Sequence, residues 1–312
     1  MEIPKTILIT GGSGMVGSAI SEIQNNYNYK FIFLSSKDGD LSNYSSAFTI
    51  FKLFKPNFVI HLAANVGGLY KNLNNNMQMF ESNIKINMNV LKCSFVFKVE
   101  KCISILSTCI FPDEIEYPIN ETKLHLGDPH NSNIGYSYAK RMLEVQSRIY
   151  REEHGCDFSC IIPSNIYGKY DNFNLETSHV IPGLIHQCYL SKINHHPFSV
   201  RGTGKPLRQF LYSNDFAVLI MNILESTQKI DNIIISPNEE ISIGELAKMI
   251  HIKMNNPNDL IFDSEYSDGQ YRKTADNSKL KQLFPNFNFT KLEYGLNGTI
   301  IWFMDNHFRC RK

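Results

Sequence analysis

The stretch Tyr136-Ser137-Tyr138-Ala139-Lys140 places a phenol and an ammonium four residues apart. On a helix this spacing puts Tyr136 and Lys140 on one face, one turn from each other. A lysine beside a tyrosine favours the phenolate, so the phenol exchanges a proton more readily than a free one. The same spacing also occurs as an exposed helical pair without chemistry. The segment Ser107-Thr108-Cys109, at the end of a predicted buried strand, adds a hydroxyl and a thiol and favours the chemical interpretation.

A short apolar strand and a glycine-rich turn begin the chain. The run Thr6 to Thr10 predicts a buried strand of a parallel sheet. Gly11-Gly12-Ser13-Gly14-Met15-Val16-Gly17 follows it and leads into a helix that ends near Gln24. This strand, turn and helix predict a dinucleotide site, since the backbone must approach a pyrophosphate and the helix points its N–H groups at it. A plain tight turn is the alternative.

The second predicted strand, Lys30 to Leu34, bears on the choice of cofactor. In NAD-binding folds an acidic residue usually stands at the tip of this strand and binds the ribose hydroxyls. Here the tip carries serines and Lys37, which suit a ribose 2′-phosphate and favour NADP over NAD. The alternative for Lys37 is a solvated loop charge. Asp40 is a weaker candidate for contact with the adenine edge.

Further strands and helices alternate and predict an α/β fold. Strands are expected at Phe58 to Leu62, Cys102 to Leu106 and Phe158 to Pro163, with helices from Asn76 to Cys93 and from Tyr136 to His154. This order predicts a doubly wound parallel sheet, or Rossmann fold, with a smaller C-terminal α/β substrate-binding region. Residues 1–168 are assigned to the dinucleotide-binding domain and 169–312 mainly to the substrate region. Residues 207–240 are candidates for a return to the first domain.

Composition restricts the class of protein. The chain has 312 residues, 43% of them hydrophobic, and a formal net charge of +1, which predicts no nucleic-acid partner. No apolar run is long enough to span a bilayer, and no signal-peptide core is visible, so no membrane partner is expected. Seven scattered cysteines predict reduced thiols and a cytoplasmic location. Cys156 and Cys160 lack the spacing of a zinc pair, so no metal is expected.

Together these motifs resemble the extended short-chain dehydrogenase/reductase family. Within it the chain is similar to the enzymes that epimerise and then reduce GDP-4-keto-6-deoxy-D-mannose, and the similarity runs in order through nearly the whole chain. The segments that carry it are Gly14-Met15-Val16-Gly17-Ser18-Ala19-Ile20, Ala64-Asn65-Val66-Gly67-Gly68-Leu69, Ser107-Thr108-Cys109-Ile110-Phe111-Pro112, Pro129-His130-Asn131-Ser132-Asn133, Tyr136-Ser137-Tyr138-Ala139-Lys140-Arg141-Met142, Asp171-Asn172-Phe173, His179-Val180-Ile181-Pro182-Gly183-Leu184-Ile185, Gly202-Thr203-Gly204-Lys205-Pro206, Arg208-Gln209-Phe210 and Ser267-Asp268-Gly269.

The resemblance implies a two-step reaction that yields GDP-L-fucose. Cys109 as base and His179 as acid would exchange protons at sugar carbons 3 and 5, which the ketone acidifies. NADPH would then reduce carbon 4 while Tyr136 donates a proton to the carbonyl oxygen. Ser107 would hydrogen-bond that oxygen, and Lys140 would lower the pKa of Tyr136 and hold the nicotinamide ribose. His61 is interpreted as a packing residue near the cofactor.

The resemblance also implies two sets of ligand-binding residues. Those expected to bind NADP are Gly11, Ser13, Gly14, Met15, Val16, Gly17, Ser36, Lys37, Asp40, Leu41, Ala63, Ala64, Leu106, Tyr136, Lys140, Pro163, Asn165, Ile166 and His179. Those expected to bind the GDP-sugar substrate are Val66, Gly67, Ser107, Thr108, Cys109, Asn165, Val180, Leu184, Gln187, Arg201, Arg208 and Asp268. The guanidinium of Arg208 matches a diphosphate bidentately; the alternative is a surface cation.

Two positions depart from the family pattern, with Gln187 where a lysine is frequent and Arg201 where a tryptophan is frequent. Both lie where the nucleotide of the substrate is expected, so nucleotide affinity and the choice of nucleotide-sugar stay open. One alternative function is therefore a related epimerase or reductase acting on another nucleotide-sugar. Another is a non-catalytic, NADP-sensing Rossmann protein, since fold alone does not fix function. Relatives pair through the helix after Asn76 and the helix of Tyr136, which implies a homodimer.

Overall fold

The computed structural model describes residues 4–67, 75–266, 268 and 270–312. Its strands are β1 (Thr6–Thr10), β2 (Lys30–Phe33), β3 (Phe58–His61), β4 (Lys101–Ile105), β5 (Phe158–Pro163), β6 (Asn165–Tyr167), β7 (Phe198–Arg201), β8 (Leu207–Arg208), β9 (Phe210–Tyr212), β10 (Asn232–Ile235), β11 (Ile241–Ser242) and β12 (Leu260–Asp263). Its α-helices are α1 (Met15–Ile23), α2 (Tyr44–Phe54), α3 (Asn76–Val96), α4 (Ile134–His154), α5 (Val180–Asn194), α6 (Ser213–Glu225), α7 (Ile243–Lys253), α8 (Ser278–Leu283) and α9 (Leu292–Asn306).

A six-stranded sheet in the order β10-β5-β4-β3-β1-β2 forms the centre of the molecule. Every neighbouring pair in it is parallel. Its strands are short apolar runs, and β3, β4 and β5 are buried along their whole length, as expected for a parallel sheet covered on both faces. The predicted α/β class with a doubly wound parallel sheet is therefore confirmed.

Helices cover both faces of this sheet. Because successive side chains of a strand point to opposite faces, Ile7 and Ile9 lie in one apolar cluster with Phe216 of α6. Leu8 lies in the other cluster, with Leu91 of α3. Helices α1 and α6 pack together on the first face, and α3 and α4 on the second. Each layer buries apolar surface, the dominant favourable contribution to folding.

A third apolar cluster lies among the later elements. It contains Phe173, Phe198, Ile250 and Phe303, which are fully buried. Helices α5, α7 and α9 contribute to it together with three small two-stranded sheets, β12-β7, β6-β9 and β11-β8. The strand β10 and the helix α6 belong instead to the large sheet and its cover. The division of the chain at residue 168 stays a prediction.

The register of the large sheet brings the carboxyl ends of its strands to one edge. Thr10 pairs with His61, which pairs with Ser104, and Ile105 pairs with Ile161. The residues that follow these strands therefore meet at that edge, where open α/β sheets bind their ligands.

The predicted elements occur, with ends that shift by one or two residues and with a helix α3 that is longer than expected. Helices α2, α6, α8 and α9 were not predicted. The predicted Gly68-Leu69 part of one loop, and Ser267 and Gly269 of another, lie outside the described residues. Across the ranges that the structure describes, no helix combines the length and hydropathy needed to cross a membrane. In those ranges no three His, Cys, Asp or Glu side chains group as metal ligands.

Candidate active site

The glycine turn brings the backbone of three segments into close contact. Gly11 has a φ of +67°, and a Cβ there would lie 2.8 Å from the amide nitrogen of Ala63. A Cβ on Gly17 would lie 2.3 Å from the carbonyl oxygen of Gly12. Both positions therefore require glycine. The result is a flat backbone surface at the edge of the sheet, next to the predicted cofactor residue Ala64.

The amino end of α1 is open to an anion. Gly14 is its N-cap, no side chain caps it, and its first turn contains no acidic residue. The first N–H groups of a helix carry partial positive charge and bind phosphates well. Ser13 is exposed, while Met15 and Val16 are half-buried beside this end. The arrangement fits the diphosphate of a dinucleotide.

The tip of β2 carries exposed serine and lysine side chains. Ser35 donates hydrogen bonds from its backbone N and its Oγ to Asp38 Oδ2, at 2.7 and 2.8 Å. These bonds lower the pKa of Asp38 and hold its carboxylate. Ser36 and Lys37 are exposed, and in the described part of the chain no carboxylate forms an ion pair with Lys37. The tip therefore fits a ribose 2′-phosphate.

Two further predicted cofactor residues lie just beyond this tip. Asp40 accepts hydrogen bonds from the backbone N and Oγ of Ser42, at 2.8 and 2.7 Å. Leu41 is buried in the core. Contact of Asp40 with an adenine stays a prediction.

His61 is a buried structural residue at the end of β3. Its Nδ1 lies 2.8 Å from Thr10 Oγ1 and its Nε2 lies 3.0 Å from Asn87 Oδ1. Burial, and secondly the charge of Lys140, lower its pKa to about 3, so the ring is neutral near pH 7. Thr10 Oγ1 also accepts from the backbone N of Ala63 at 3.1 Å. His61 thus supports the cofactor edge, as the sequence interpretation expected.

Tyr136 and Lys140 lie one turn apart on α4. Lys140 Nζ is 5.8 Å from the centre of the Tyr136 ring and donates to the carbonyl oxygen of Ile105 at 2.7 Å. Burial lowers the pKa of Lys140 to about 8. The pKa of Tyr136 is raised, first by burial and second by Cys109. The pKa of Tyr136 is thus above its usual value in this structure, because burial disfavours the phenolate. The expectation that Lys140 lowers this pKa stays a prediction.

Ser107 and Cys109 belong to a short 3-10 turn that follows β4. Ser107 Oγ accepts a long hydrogen bond from the backbone N of Cys109, at 3.4 Å. Ser137, next to Tyr136, donates from its Oγ to the carbonyl oxygen of Cys109 at 2.9 Å. This bond ties the turn to α4. Cys109 is half-buried and close enough to Tyr136 and Lys140 to shift the pKa of both.

His179 is the N-cap residue of α5 and is exposed. Its side chain makes no helix-capping hydrogen bond. Its charge acts on the buried carboxylate of Asp171. Among the residues that the structure describes, no hydrogen bond joins the His179 imidazole to Cys109, Tyr136 or Lys140. The structure thus assembles three of the predicted catalytic residues around the turn of Ser107, and leaves the approach of His179 a prediction.

The predicted diphosphate ligand Arg208 is engaged with the backbone. Its guanidinium donates to the carbonyl oxygens of Leu207 at 2.7 Å, Gln270 at 2.6 Å and Tyr271 at 3.3 Å. Burial is the main cause that lowers its pKa. These bonds fix the plane of the Arg208 guanidinium. Its positive charge acts on the ammonium of Lys273.

Asp268 and Arg201 hold loops of the later region. Asp268 accepts from the backbone N of Thr203 at 2.9 Å and from its Oγ1 at 2.6 Å. The guanidinium of Arg201 lies 4.8 Å from the centre of the Tyr266 ring. Asp268 therefore fixes the Gly202-Thr203 turn, and the binding of substrate by either residue stays a prediction.

The other predicted ligand residues occupy two places. Those at the strand ends are Leu106, Thr108 and Pro163, which are buried, and Asn165 and Ile166, which are half-buried. Asn165 Nδ2 donates to the carbonyl oxygen of Gln209 at 3.0 Å. Those on other elements are Val66 and Val180, which are exposed, Gly67 and Gln187, which are half-buried, and Leu184, which is buried.

Lys273 is a candidate site residue that the sequence interpretation missed. The charges of Cys109 and Arg208 both act on its ammonium, and burial is the first cause that lowers its pKa. Hydrogen bonds from Ile119 N to the Thr274 carbonyl and from Asp276 N to the Ile119 carbonyl, at 2.9 and 2.8 Å, hold its segment beside the chain that follows the turn of Cys109. Within the described ranges no hydrogen bond or ion pair engages its ammonium. The sequence feature that could have identified Lys273 is the pair Arg272-Lys273, which follows the polar loop at residues 267–270.

Comparison with known proteins agrees with this geometry. The model of the NAD dependent epimerase/dehydratase family matches residues 7–244. A GDP-L-fucose synthase of Dictyostelium discoideum is 47% identical over 99% of this chain and 98% of that protein. A GDP-L-colitose synthase of Yersinia pseudotuberculosis is 30% identical over 96% of this chain and 98% of that protein.

A solved structure gives the same result. The crystal structure of a GDP-L-fucose synthetase from Naegleria fowleri bound to NADP is 44% identical, with a TM-score of 0.95, and the match covers 100% of this chain and 96% of that one. The family resemblance inferred from the motifs is confirmed. The chain belongs to the NAD dependent epimerase/dehydratase family.

Proposed function

We propose that this protein is a GDP-L-fucose synthase, which converts GDP-4-keto-6-deoxy-D-mannose to GDP-L-fucose with NADPH. The observation that carries the proposal is the position of the Cys109 thiol, on a turn tied to α4 beside Tyr136 and Lys140. A reductase needs the tyrosine and the lysine, whereas the thiol adds a second group able to take a proton. The similarity to the GDP-L-fucose synthase of Dictyostelium discoideum and to the NADP-bound synthetase of Naegleria fowleri supports the proposal further.

Epimerisation comes first in the proposed reaction. The ketone acidifies the hydrogens on carbons 3 and 5 of the sugar. Cys109, as thiolate, removes a proton on one side, and His179 returns a proton from the opposite side. Ser107 donates a hydrogen bond to the ketone oxygen, which carries negative charge in the enolate. Each exchange inverts one carbon and leaves the number of protons on the sugar unchanged. Cys109 then carries the removed proton and His179 has lost one, so both exchange a proton with solvent before the second carbon reacts.

Reduction follows at carbon 4. NADPH, when bound, supplies a hydride to this carbon. The raised pKa of Tyr136 keeps the phenol protonated near neutral pH, which suits it to donate its proton to the carbonyl oxygen. Lys140, held by the carbonyl oxygen of Ile105, places a positive charge beside that phenol and stabilises negative charge that develops on it.

The cofactor lies, in this proposal, along the carboxyl edge of the sheet. Its diphosphate binds the amino end of α1, and its 2′-phosphate binds Ser36 and Lys37. The carboxylates near the tip of β2 are those of Asp38 and Asp40, and both are already hydrogen-bonded by neighbouring serines. NADP is therefore favoured over NAD on charge.

Substrate binding involves Lys273 as well as the residues predicted from the sequence. The bonds of Arg208 to backbone carbonyls leave Lys273 as a nearby cation whose donors are not engaged in the described structure. A GDP-sugar carries a diphosphate, and a lysine binds such a group as a point charge. Lys273 and Arg208 together supply two positive charges to it.

We also propose a homodimer formed through α3 and α4. Their outer faces expose a group of large apolar side chains, namely Met77, Phe80, Met88, Met142 and Ile149. A shallow apolar cavity lined by Phe80, Ile134, Gly135, Tyr138 and Met142 lies between the two helices. An exposed apolar patch of this kind marks an interaction surface, and a two-fold dimer covers it with a second copy. We infer a cytoplasmic location, because all seven cysteines are free thiols.

Another nucleotide-sugar is the main alternative substrate. The similarity to a GDP-L-colitose synthase, and the departures at Gln187 and Arg201, favour testing it directly. An NADP sensor without turnover is less well supported, since Ser107, Tyr136 and Lys140 are all present.

The first prediction tests the function itself. Purified protein with NADPH and GDP-4-keto-6-deoxy-D-mannose is expected to oxidise NADPH, followed by its absorbance, and to yield GDP-L-fucose, identified by NMR. A Tyr136→Phe variant should reduce about 10²- to 10⁴-fold more slowly, because it lacks the proton donor, and should still bind NADPH. Failure of the parent protein to oxidise NADPH that it binds would favour another sugar, or a sensor.

The second prediction separates the two half-reactions. Cys109→Ser should slow deuterium exchange from D₂O at carbons 3 and 5 by about 10²- to 10⁴-fold, since a hydroxyl is a much weaker base than a thiolate. Direct reduction to the unepimerised 6-deoxy sugar should persist. Cys156→Ser, at another half-buried cysteine, is the matched control and should exchange normally. Exchange at the parent rate in the Cys109 variant would remove the thiol from the mechanism.

The third prediction concerns Lys273. Lys273→Met should lower kcat/KM for the GDP-sugar by about 10- to 100-fold, the size expected for losing a charge-assisted bond, with NADPH affinity unchanged. Lys248→Met, on the exposed surface of α7, is the control. Equal kcat/KM values for the two variants, measured by initial rates, would exclude Lys273 from the site.

The fourth prediction concerns the dimer. The parent protein should sediment as a dimer at micromolar concentration, and Met142→Glu should sediment as a monomer because a carboxylate would be buried at the interface. Ile252→Glu changes an exposed apolar residue of α7 and should leave the dimer intact. A monomeric parent protein, or a Met142 variant that remains dimeric, would contradict the proposed interface.

A further inference from the structure

A buried carboxylate without a full set of partners lies close to His179. Asp171 is only 3% exposed. Its Oδ1 accepts from the backbone N of Asn172 at 2.7 Å, whereas its Oδ2 is buried and has no hydrogen-bond partner among the described residues. A buried carboxylate oxygen left unpaired is costly, so it requires a donor. The two charges found to act on it are those of His179 and Arg311.

The loop between Asp171 and His179 closes on itself through side-chain and backbone hydrogen bonds. Asn172 Nδ2 donates to Thr177 Oγ1 at 2.9 Å, and Ser178 N donates to the carbonyl oxygen of Asn174 at 2.9 Å. These bonds bring the second residue of the loop next to its end. Asp171 and His179 therefore belong to neighbouring ends of one closed loop.

The core of the later region anchors this loop. Phe173 is fully buried and stacks on Trp302, with ring centres 6.0 Å apart. Its backbone N donates to the carbonyl oxygen of Arg311 at 2.8 Å. The carboxylate is thus held in place by buried neighbours, while the imidazole of His179 is exposed. The Asp171 carboxylate is therefore fixed, whereas the His179 ring can be oriented by a hydrogen bond.

We propose that Asp171 is a positioning residue for His179, accepting a hydrogen bond from one ring nitrogen through its free Oδ2. This bond fixes the plane and the tautomer of the ring, so that the other nitrogen faces the substrate. The inference rests on the proposed function, in which His179 returns a proton to the sugar. In that step an N–H bond of the imidazolium breaks and a C–H bond of the sugar forms. Asp171 gains and loses no proton.

Orientation by a carboxylate is effective because an imidazole has two distinct nitrogens. Which one carries the proton depends on the hydrogen bond that the other one makes. In Ser-His-Asp enzymes, replacing the orienting aspartate by asparagine leaves the geometry intact and costs about 10⁴-fold in rate through the wrong tautomer. An exposed catalytic histidine such as His179 gains most from such a partner, since no other described side chain holds its ring.

The experiment uses deuterium exchange at carbons 3 and 5 in D₂O, which reports epimerisation alone. Asp171→Asn is expected to lower the exchange rate at least tenfold, while NADPH binding and direct reduction change less than threefold. Asp171→Glu should recover part of the exchange. Asp215→Asn, at a buried carboxylate bound to Thr290, is the matched control and should retain the parent rate. A parent rate in the Asp171→Asn variant would overturn the proposal.

Two further measurements distinguish the other outcomes. If Asp171 serves only as a partner for Arg311, then Arg311→Met will reproduce the loss seen in Asp171→Asn, and this result would contradict the proposal. The ¹⁵N chemical shifts of the His179 ring in the parent protein should show one dominant tautomer. An equal mixture of the two tautomers would also contradict the proposal. Absence of exchange in the parent protein would instead reject the proposed function.

Discussion

The buried ammonium of Lys140 is the interaction on which the site depends. It is 2% exposed and donates to the carbonyl oxygen of Ile105, the last residue of β4. This bond fixes α4 against the end of a central strand. Because α4 also carries Tyr136, the phenol is held at the edge of the sheet. The cost of burying an ammonium is visible in its pKa, which burial lowers to about 8.

The ammonium of Lys140 interacts electrostatically with two titratable neighbours, His61 and Cys109. His61, one strand away, is kept neutral by burial and by Lys140, so two positive charges do not compete in the same place. Cys109 acts in the opposite sense and raises the pKa of Lys140. Burial and this neighbour therefore act in opposite directions on the pKa of Lys140.

Much of this arrangement is predictable from the sequence because it is local. The strands of the large sheet are short apolar runs, and the glycine turn is recognised from the spacing of Gly12, Gly14 and Gly17. The pairing of Tyr136 with Lys140 follows from helical periodicity. Helices such as α2 and α9 carry no comparable motif, and they are positioned by tertiary packing, as Phe303 in the third apolar cluster illustrates.

The parts that could not be predicted depend on contacts between distant segments. Lys273, proposed as a substrate-binding residue, lies in a segment that pairs with Ile119, more than 150 residues earlier in the chain. The raised pKa of Tyr136 depends on how deeply its phenol is buried, which spacing alone does not determine. Burial in the folded structure thus raises the pKa of Tyr136, whereas the spacing of Tyr136 and Lys140 had led us to expect a lower value.

Helix α4 connects chemistry with assembly through its periodicity. Lys140, Leu143 and Ser147 are buried on one side, whereas Met142 and Ile149 are exposed on another. Residues three or four apart share a face of a helix, so one face supports the catalytic pair and the other is available to a second copy. A dimer formed on the outer face would hold the helix from behind. It would restrict the helix displacements that move Tyr136 away from the substrate, without adding any residue to the site.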